Sequence, residues 1–395
     1  MTKKSSRAKV KRAARARGTA TAAANANKEP RAAGSQSLAT LRDEIDSVDR
    51  RIHELLNARA GLARRVAESK QGLVGSAIEF YRPEREAQVL RMAKERNQGP
   101  LRDEEILRLF REIMSACLAQ EEPLKVAFLG PEGTFTQTAV LKHFGHSVRA
   151  LPLLSIDEVF QEVEAGHADF GVVPIENSTE GTVNHTLDRF LTSPLKICGE
   201  IELRIHQFLM GRMASLKTIK RICSHSQSLA QCRNWLEEHL PNVECVPVAS
   251  NAEGARRARD EDGTAAIAGD TAAEVYGLKL LAREIEDQPD NTTRFFVLGR
   301  QLFRASGQDR TTLLCSGRHT DTHGALFRLL EPFAEHSVNM TRIESRPSKR
   351  QKWDYVFFFD IEGHAEDPVI ARALAELKKR ASLFRVLGSY PRAVL

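Results

Sequence analysis

Pro123 separates two incompatible hydrophobic rhythms, and that break constrains the fold of this chain more than any other feature. Before it, Leu38, Leu41, Ile45, Val48, Ile52, Leu55, Leu62 and Val66 fall on alternating three- and four-residue steps. One face of a helix recurs at that interval, and the two-residue period of a strand does not fit it. The spacing predicts a long helix with a heptad-like seam, ending near Gly72 or Gly75. Pro83 suits the first turn of a second helix running to about Asn97. Gly99-Pro100 breaks that helix, and Asp103 is placed to cap a third reaching about Gln120. Residues 38–122 are therefore expected to be all helical.

After Pro123, short apolar runs alternate with helical stretches. KVAFLG (125–130), DFGVV (169–173), RICS (221–224), VECVPV (243–248), TAAIAG (264–269) and RFFVLG (294–299) read as strands. TQTAVLKHFG reads as a helix closed by Gly145. SIDEVFQEVEAG reads as another, opened by a Ser155/Glu158 capping box and closed by Gly166. Asp270–Tyr276 is a further helix. Residues 124–303 thus form an α/β domain. In FGVVPIENSTEG (170–181), Pro174 is expected to end the ladder, because it has no N–H to donate. Residues 311–395 follow the order βαββαβ of a ferredoxin-like α+β fold.

Composition narrows the function classes. No apolar run approaches the roughly 20 residues of a membrane-spanning helix. The six cysteines form no CxxC pair, which suits reduced thiols in a cytoplasmic protein. The net charge of +6 is misleading. Residues 1–37 hold ten Lys/Arg and one acidic residue, so the other 358 residues, with 48 basic and 51 acidic side chains, are mildly acidic. The tail has almost no bulky apolar group and is expected to be solvated. Its composition also admits contact with nucleic acid or acidic surfaces, or an organelle-targeting role.

The helical seam contains a cation. After Leu38, Ile45 and Ile52, the heptad series reaches Arg59 and then Val66. Lys70 lies about 20° from Arg59 around the helix and roughly 16 Å along it, so both can lean toward one anion. Arg42 is about 100° away and should not serve the same site within one straight helix, although a partner subunit could supply it. LRDEIDSVDRRIHELLNARAGLARRVAESK followed by YRPERE resembles the all-helical class of chorismate mutase. That reaction is a pericyclic rearrangement of a dicarboxylate, so positioned cations and donors suffice. The resemblance implies that Arg59, Lys70 and Arg85 contact substrate and that Glu86 takes its ring hydroxyl. Arg42 would come from the other subunit of an intertwined dimer. Glu121 stands where the family has a Gln donor to the ether oxygen, although a one-residue slip would put Gln120 there. A carboxyl donates only when protonated, so mutase activity is expected to rise as pH falls. Cys117 stands at the position of a Ser.

Four strand-to-helix or loop-to-strand junctions of the α/β domain carry short polar side chains. They are GPEGTFT (130–136), VPIENS (173–178), SHSQSLAQC (224–232) and NTTRF (291–295). Each alone fits turn and cap chemistry, and the turn after Gly130 also suits an anion. Together, and in this order, they resemble prephenate dehydratase, whose fold is two α/β lobes around a cleft, like a periplasmic binding protein. The resemblance makes Thr293 the proton donor to a leaving hydroxyl, with Arg294 and Phe295 shaping the site. Thr134, Asn177, Ser178, Ser224 and Gln231 would contact substrate, while Glu176 braces the loop. HGAL (323–326) and ESRP (344–347) resemble the ACT regulatory domain. Gly324, Ala325, Leu326, Glu344 and Ser345 would then line a phenylalanine site between subunits, with His323 where Pro is usual. His319 and His323 lack a third metal ligand nearby and read as loop histidines.

The three modules in this order resemble the bifunctional chorismate mutase–prephenate dehydratase family. Such a protein would use chorismate, prephenate and phenylalanine, need no cofactor or metal, and work as a cytoplasmic homodimer or larger assembly away from membrane and nucleic acid. A two-lobed sensor of an acidic metabolite, without turnover, is the alternative from another class.

Overall fold

The structure is a computed structural model that describes residues 37–71, 81–120, 122–317, 323–349 and 354–394, without the side chains of Ala67, Lys70 and Gln71. Residues 1–36 of the basic tail, Gly72, Gly75, Glu121 and His319 lie outside the described residues. The first module is α1 (Leu38–Gln71), α2 (Pro83–Arg96) and α3 (Asp103–Leu118). Pro83 is the first residue of α2, as its fixed φ favours. Asp103 is not a cap: Arg102 holds that position, and the Asp103 carboxylate accepts from Asn97 Nδ2 at 2.8 Å. The apolar seam of α1 is exposed, with Leu38, Ile45, Leu55 and Val66 each more than half accessible. The chain divides inside α1, and everything from Leu56 on packs as one compact unit.

A first lobe follows, made of β1 (Lys125–Leu129), α4 (Phe135–Phe144), β2 (Arg149–Leu153), α5 (Ile156–Ala165), β3 (Phe170–Asn177), β4 (Gly181–Thr182), α6 (Asn184–Phe190) and β5 (Lys196–Arg204). The second lobe holds β6 (Phe208–Gly211), β7 (Arg221–His225), α7 (Ser226–Gln231), α8 (Arg233–His239), β8 (Glu244–Val248), α9 (Asn251–Asp260), β9 (Thr264–Ala268), α10 (Asp270–Tyr276) and β10 (Lys279–Ala282). The chain then returns to the first sheet as β11 (Thr292–Gly299), giving the order β2-β1-β3-β11-β5 with β4 on β3. The second sheet runs β10-β6-β9-β7-β8. Two short crossings, 205–207 and 283–291, therefore join the lobes.

Pro174 does not end β3. The strand runs on to Asn177, and pairing with β11 jumps from Phe295↔Pro174 to Arg294↔Glu176. Ile175 is the extra residue of a bulge, which lets a strand pass a residue that has no N–H. The Ser155 hydroxyl caps α5 through the Glu158 N–H at 3.2 Å, and Gly166 closes that helix at φ +81°.

The last module is β12 (Asp309–Ser316), α11 (Ala325–Glu335), β13 (Met340–Pro347), β14 (Tyr355–Glu362), α12 (Pro368–Arg380) and β15 (Leu383–Pro391). Its sheet order is β13-β14-β12-β15, and both helices pack on one face through Leu329, Phe333, Ile370 and Leu377. The other face joins the first lobe's core, where Leu314, Val356, Phe358 and Tyr390 meet Phe296 and Phe190. A side chain at Gly388 on β15 would run into the Ile197 carbonyl on β5, so glycine there permits direct backbone approach.

Candidate active sites

The end of β3 and the start of β11 lie side by side where the chain returns from the second lobe to the first. Asn177 and Thr293 face each other in the ladder. The Asn177 amide oxygen accepts the N–H groups of Thr179 and Glu180, both at 3.0 Å. Its Nδ2 donates to Thr293 Oγ1 at 2.8 Å and to Asn291 Oδ1 at 2.8 Å. Ser178 is tied to the same strand: its N–H donates to the Thr292 carbonyl at 2.9 Å, and its hydroxyl accepts the Thr292 N–H at 2.9 Å. Glu176 turns to Arg342 of β13, at 3.2 Å.

Thr134 stands at the start of α4, but its hydroxyl donates backward to the Leu129 carbonyl at 3.2 Å and leaves the helix amides uncapped. The lobes touch here. A Cβ on Gly133, which sits at φ +83°, would lie 3.0 Å from the Tyr276 ring and 3.2 Å from Ala272 Cα. Tyr276 also donates to the Glu132 carbonyl at 3.0 Å. In the second lobe Ser224 is fully buried, 2.6 Å from the Ile267 carbonyl and 3.0 Å from Asn251 Oδ1. Gln231 Oε1 accepts from Gln207 Nε2 at 3.1 Å. Asn251 Nδ2 and Gln207 Nε2 both donate to Ser228, at 2.8 and 3.2 Å. Ser224 and Gln231 thus belong to an internal polar network with Asn251, Ser228 and Gln207. The last three, and Asn291, were not singled out by sequence reasoning. Asn291 in NTTRF and Ser228 in SHSQSLAQC lay inside quoted motifs, whereas Asn251 and Gln207 carried no local hint.

Two expected wall residues face elsewhere. The Phe295 ring is buried with Tyr81, Phe128 and Phe144 under the first sheet. Arg294 turns toward the C-terminal module. Its Nε donates to Glu200 at 2.9 Å, Nη1 to Asp360 at 2.6 Å and Nη2 to the Tyr390 hydroxyl at 3.1 Å. Arg310 closes the cluster on the same Glu200 oxygen. Burial works against the Arg294 charge, but Tyr390, Asp360 and Glu200 more than offset it and hold its pKa above the ordinary arginine value.

In the helical module, Glu86 faces inward and lies 3.9 Å from Arg111 of α3. Burial pushes its carboxyl up to about 7, with Arg111 pulling the other way. Beside them the Tyr81 hydroxyl pairs with His143 Nε2 of α4 at 3.0 Å, and burial depresses His143 to about 3. A cavity of about 40 Å³ lies among Glu86, Arg111, His143, Glu200 and Val394. Arg85 is exposed, with its Nη1 3.5 Å from Gln88 Oε1. Cys117 is half-buried, about 200° around α3 from Ser115, whose hydroxyl accepts the Ser147 N–H at 3.3 Å. Arg42 is exposed and Arg59 half-buried on α1.

Gly324 opens α11 at φ +70°, and Ala325 and Leu326 form its first turn. Glu344 accepts from Thr182 at 2.8 Å, and Ser345 is exposed. Strand β14 lies between β12 and β13, so the segment after β12 and the Glu344–Ser345 pair are not strand neighbours within one subunit. Among the described residues no cluster of three or more His, Cys, Asp or Glu side chains could hold a metal ion, and no helix is long and apolar enough to cross a membrane.

Comparison with known proteins gives three matches along the chain. The chorismate mutase type II model covers residues 41–122, the prephenate dehydratase model 126–302 and the ACT domain model 312–379. A bifunctional chorismate mutase/prephenate dehydratase of Stutzerimonas stutzeri is 55% identical over 364 residues, covering 91% of this chain and 99% of that one. Among solved structures, prephenate dehydratase in complex with L-Phe from Arthrobacter aurescens matches with a TM-score of 0.63 at 40% identity, over 68% of this chain and 90% of that one. GqqA, described as a novel type of quorum quenching acylase, matches with a TM-score of 0.62 at 30% identity, over 68% and 98%.

Proposed function

Because the chain belongs to the bifunctional chorismate mutase/prephenate dehydratase family, we propose a division of labour among its own residues for the two reactions. The enzyme rearranges chorismate to prephenate and converts prephenate to phenylpyruvate on the route to phenylalanine, and its ACT domain serves feedback regulation. The mutase module extends over 38–122, the dehydratase over 124–303 and the ACT domain over 311–395.

In the mutase, Arg59, Lys70 and Arg85 hold the two carboxylates, Glu86 takes the ring hydroxyl, and Cys117 and Glu121 (or Gln120) serve the ether oxygen. Arg42 arrives from a second copy. The exposed apolar seam of α1 supports a homodimer, since stripes of this length are covered in stable proteins. Sedimentation at assay concentration tests it, and a persistent monomer with full mutase activity would remove the second copy. The protein is assigned to the cytoplasm, with phenylalanine as effector.

In the dehydratase, Thr293 protonates the departing hydroxyl while the ring carboxylate leaves as carbon dioxide. Thr134, Asn177, Ser178, Ser224 and Gln231 build or brace its pocket, and Arg294 and Phe295, which face away from it, hold β11 in place from behind. One observation carries this reading: Thr293 Oγ1, at the start of β11 beside the crossing between the lobes, accepts from Asn177 Nδ2 at 2.8 Å. The test is to feed chorismate to Thr293→Ala and follow both products. Prephenate accumulates and phenylpyruvate falls by about 100-fold or more. Wild-type phenylpyruvate formation in that variant would refute the role.

A further inference from the structure

A threonine hydroxyl has one proton and rotates freely unless a neighbour restrains it. A proton donor at this site is useful only when that proton points at the leaving oxygen. The surroundings of Thr293 supply the restraint. Asn177 Oδ1 accepts two backbone N–H groups, from Thr179 and Glu180. A flipped amide would set N–H against N–H, so the orientation is determined by the loop. Nδ2 must then face Thr293, and its two protons go to Thr293 Oγ1 and Asn291 Oδ1, each at 2.8 Å. Asn291 is only 4% exposed, and its oxygen also receives the Ser178 and Thr179 hydroxyls at 3.4 Å. An N–H aimed at Thr293 Oγ1 excludes the hydroxyl proton from that direction. Among the described residues none is hydrogen-bonded as its acceptor.

We infer that Asn177, anchored by Asn291, is a positioning residue that turns the Thr293 proton toward the leaving oxygen of the substrate and does not itself bind substrate. This rests on Thr293 being the donor. In the step, the bond from the ring to its carboxylate breaks and that electron pair enters the ring. The ring C–O bond breaks, and the oxygen takes its pair and the Thr293 proton to leave as water. The Asn177 N–H stabilises the alkoxide that develops, and solvent returns a proton to Thr293. The net reaction consumes one solvent proton.

Asn177→Asp tests this, because it keeps size and the Oδ1 contacts but replaces the donor with an acceptor. The Thr293 proton is then drawn onto Asp. Dehydratase kcat is expected to fall about 100-fold near neutral pH with KM changed less than about threefold, and to recover below about pH 4, where a protonated carboxyl donates again. Asn291→Leu should lower kcat about tenfold, and Asn291→Asp, which keeps the acceptor, should recover most of that loss. Mutase activity measured on the same samples reports intact folding of the chain. Wild-type kcat in Asn177→Asp, a loss confined to KM, or a loss without recovery at low pH would overturn the inference. If Thr293→Ala is inactive while Asn177→Asp is fully active, only this inference falls. If Thr293→Ala is fully active, the donor role falls with it.

Discussion

Glu86 holds a proton that an ordinary glutamate would release. Its carboxyl is pushed from 4.5 to about 7 because burial outweighs the attraction of Arg111. Between those values the unfolded chain has given up a proton that the native chain still binds. Native stability from this group therefore falls as pH rises from about 4.5 to about 7, and stays low above it. His143, depressed to about 3, acts in the opposite sense, since its contribution is lost as pH falls from 6.5 toward 3. Glu86→Gln isolates the first effect. The variant should be more stable than wild type at pH 8 by roughly 1–3 kcal/mol and nearly equal to it at pH 5. Thermal melts at the two pH values measure this, and a pH-independent difference would refute it. At this scale the sequence was a partial guide. Thr293 and Asn177 stood out through the resemblance of four motifs taken together, and the two residues pair across β3 and β11. The direction of Arg294 was not legible, because the acids that turn it away, Glu200 and Asp360, come from strands remote in sequence.

Among the elements, the helices of the first module could be read from periodicity almost to their ends, because a 3.6-residue pattern is a local property. Strand β3 could not. A proline lacks a donor, so the motif predicted a stop, but a bulge at Ile175 carries the strand past it. Bulges depend on the partner strand, and β11 returns more than a hundred residues later. The α1 seam raises a further expectation. Its apolar residues are too exposed for a finished surface, and Ile45 lies within the stripe at 59%. Ile45→Asp should shift the chain to monomers and lower mutase activity by about tenfold or more, since burying an unpaired carboxylate opposes association. Dehydratase activity should persist. Sedimentation and the two assays decide this, and an unchanged oligomer with wild-type mutase would count against a second copy on this face.

For the whole molecule, the connection that matters runs through Arg294. It follows Thr293 in the chain, yet its guanidinium is held by Asp360 and Tyr390 of the ACT domain and by Glu200 of the first lobe. Thr312 of β12 joins both Tyr390 and Asp360 at 2.7 Å, and the Ala393 N–H reaches Glu200 at 3.2 Å. The Glu176–Arg342 and Thr182–Glu344 contacts tie the other side of the same loop to β13. A shift of the ACT sheet therefore acts on the backbone on both sides of the Asn177–Thr293 pair. An effector alters activity only by binding one arrangement more tightly than another, and the coupling must pass through contacts that differ between them. Tyr390→Phe removes one hydroxyl from this cluster and leaves the buried ring in place. The phenylalanine concentration for half-inhibition should rise about fivefold or more, the lower end of ordinary coupling energies, while the uninhibited rate stays within about twofold. Inhibition curves for the two proteins on prephenate measure it. Superimposable curves would mean that the effector signal reaches Thr293 by another route, with the Arg294 cluster serving only to hold the two domains together.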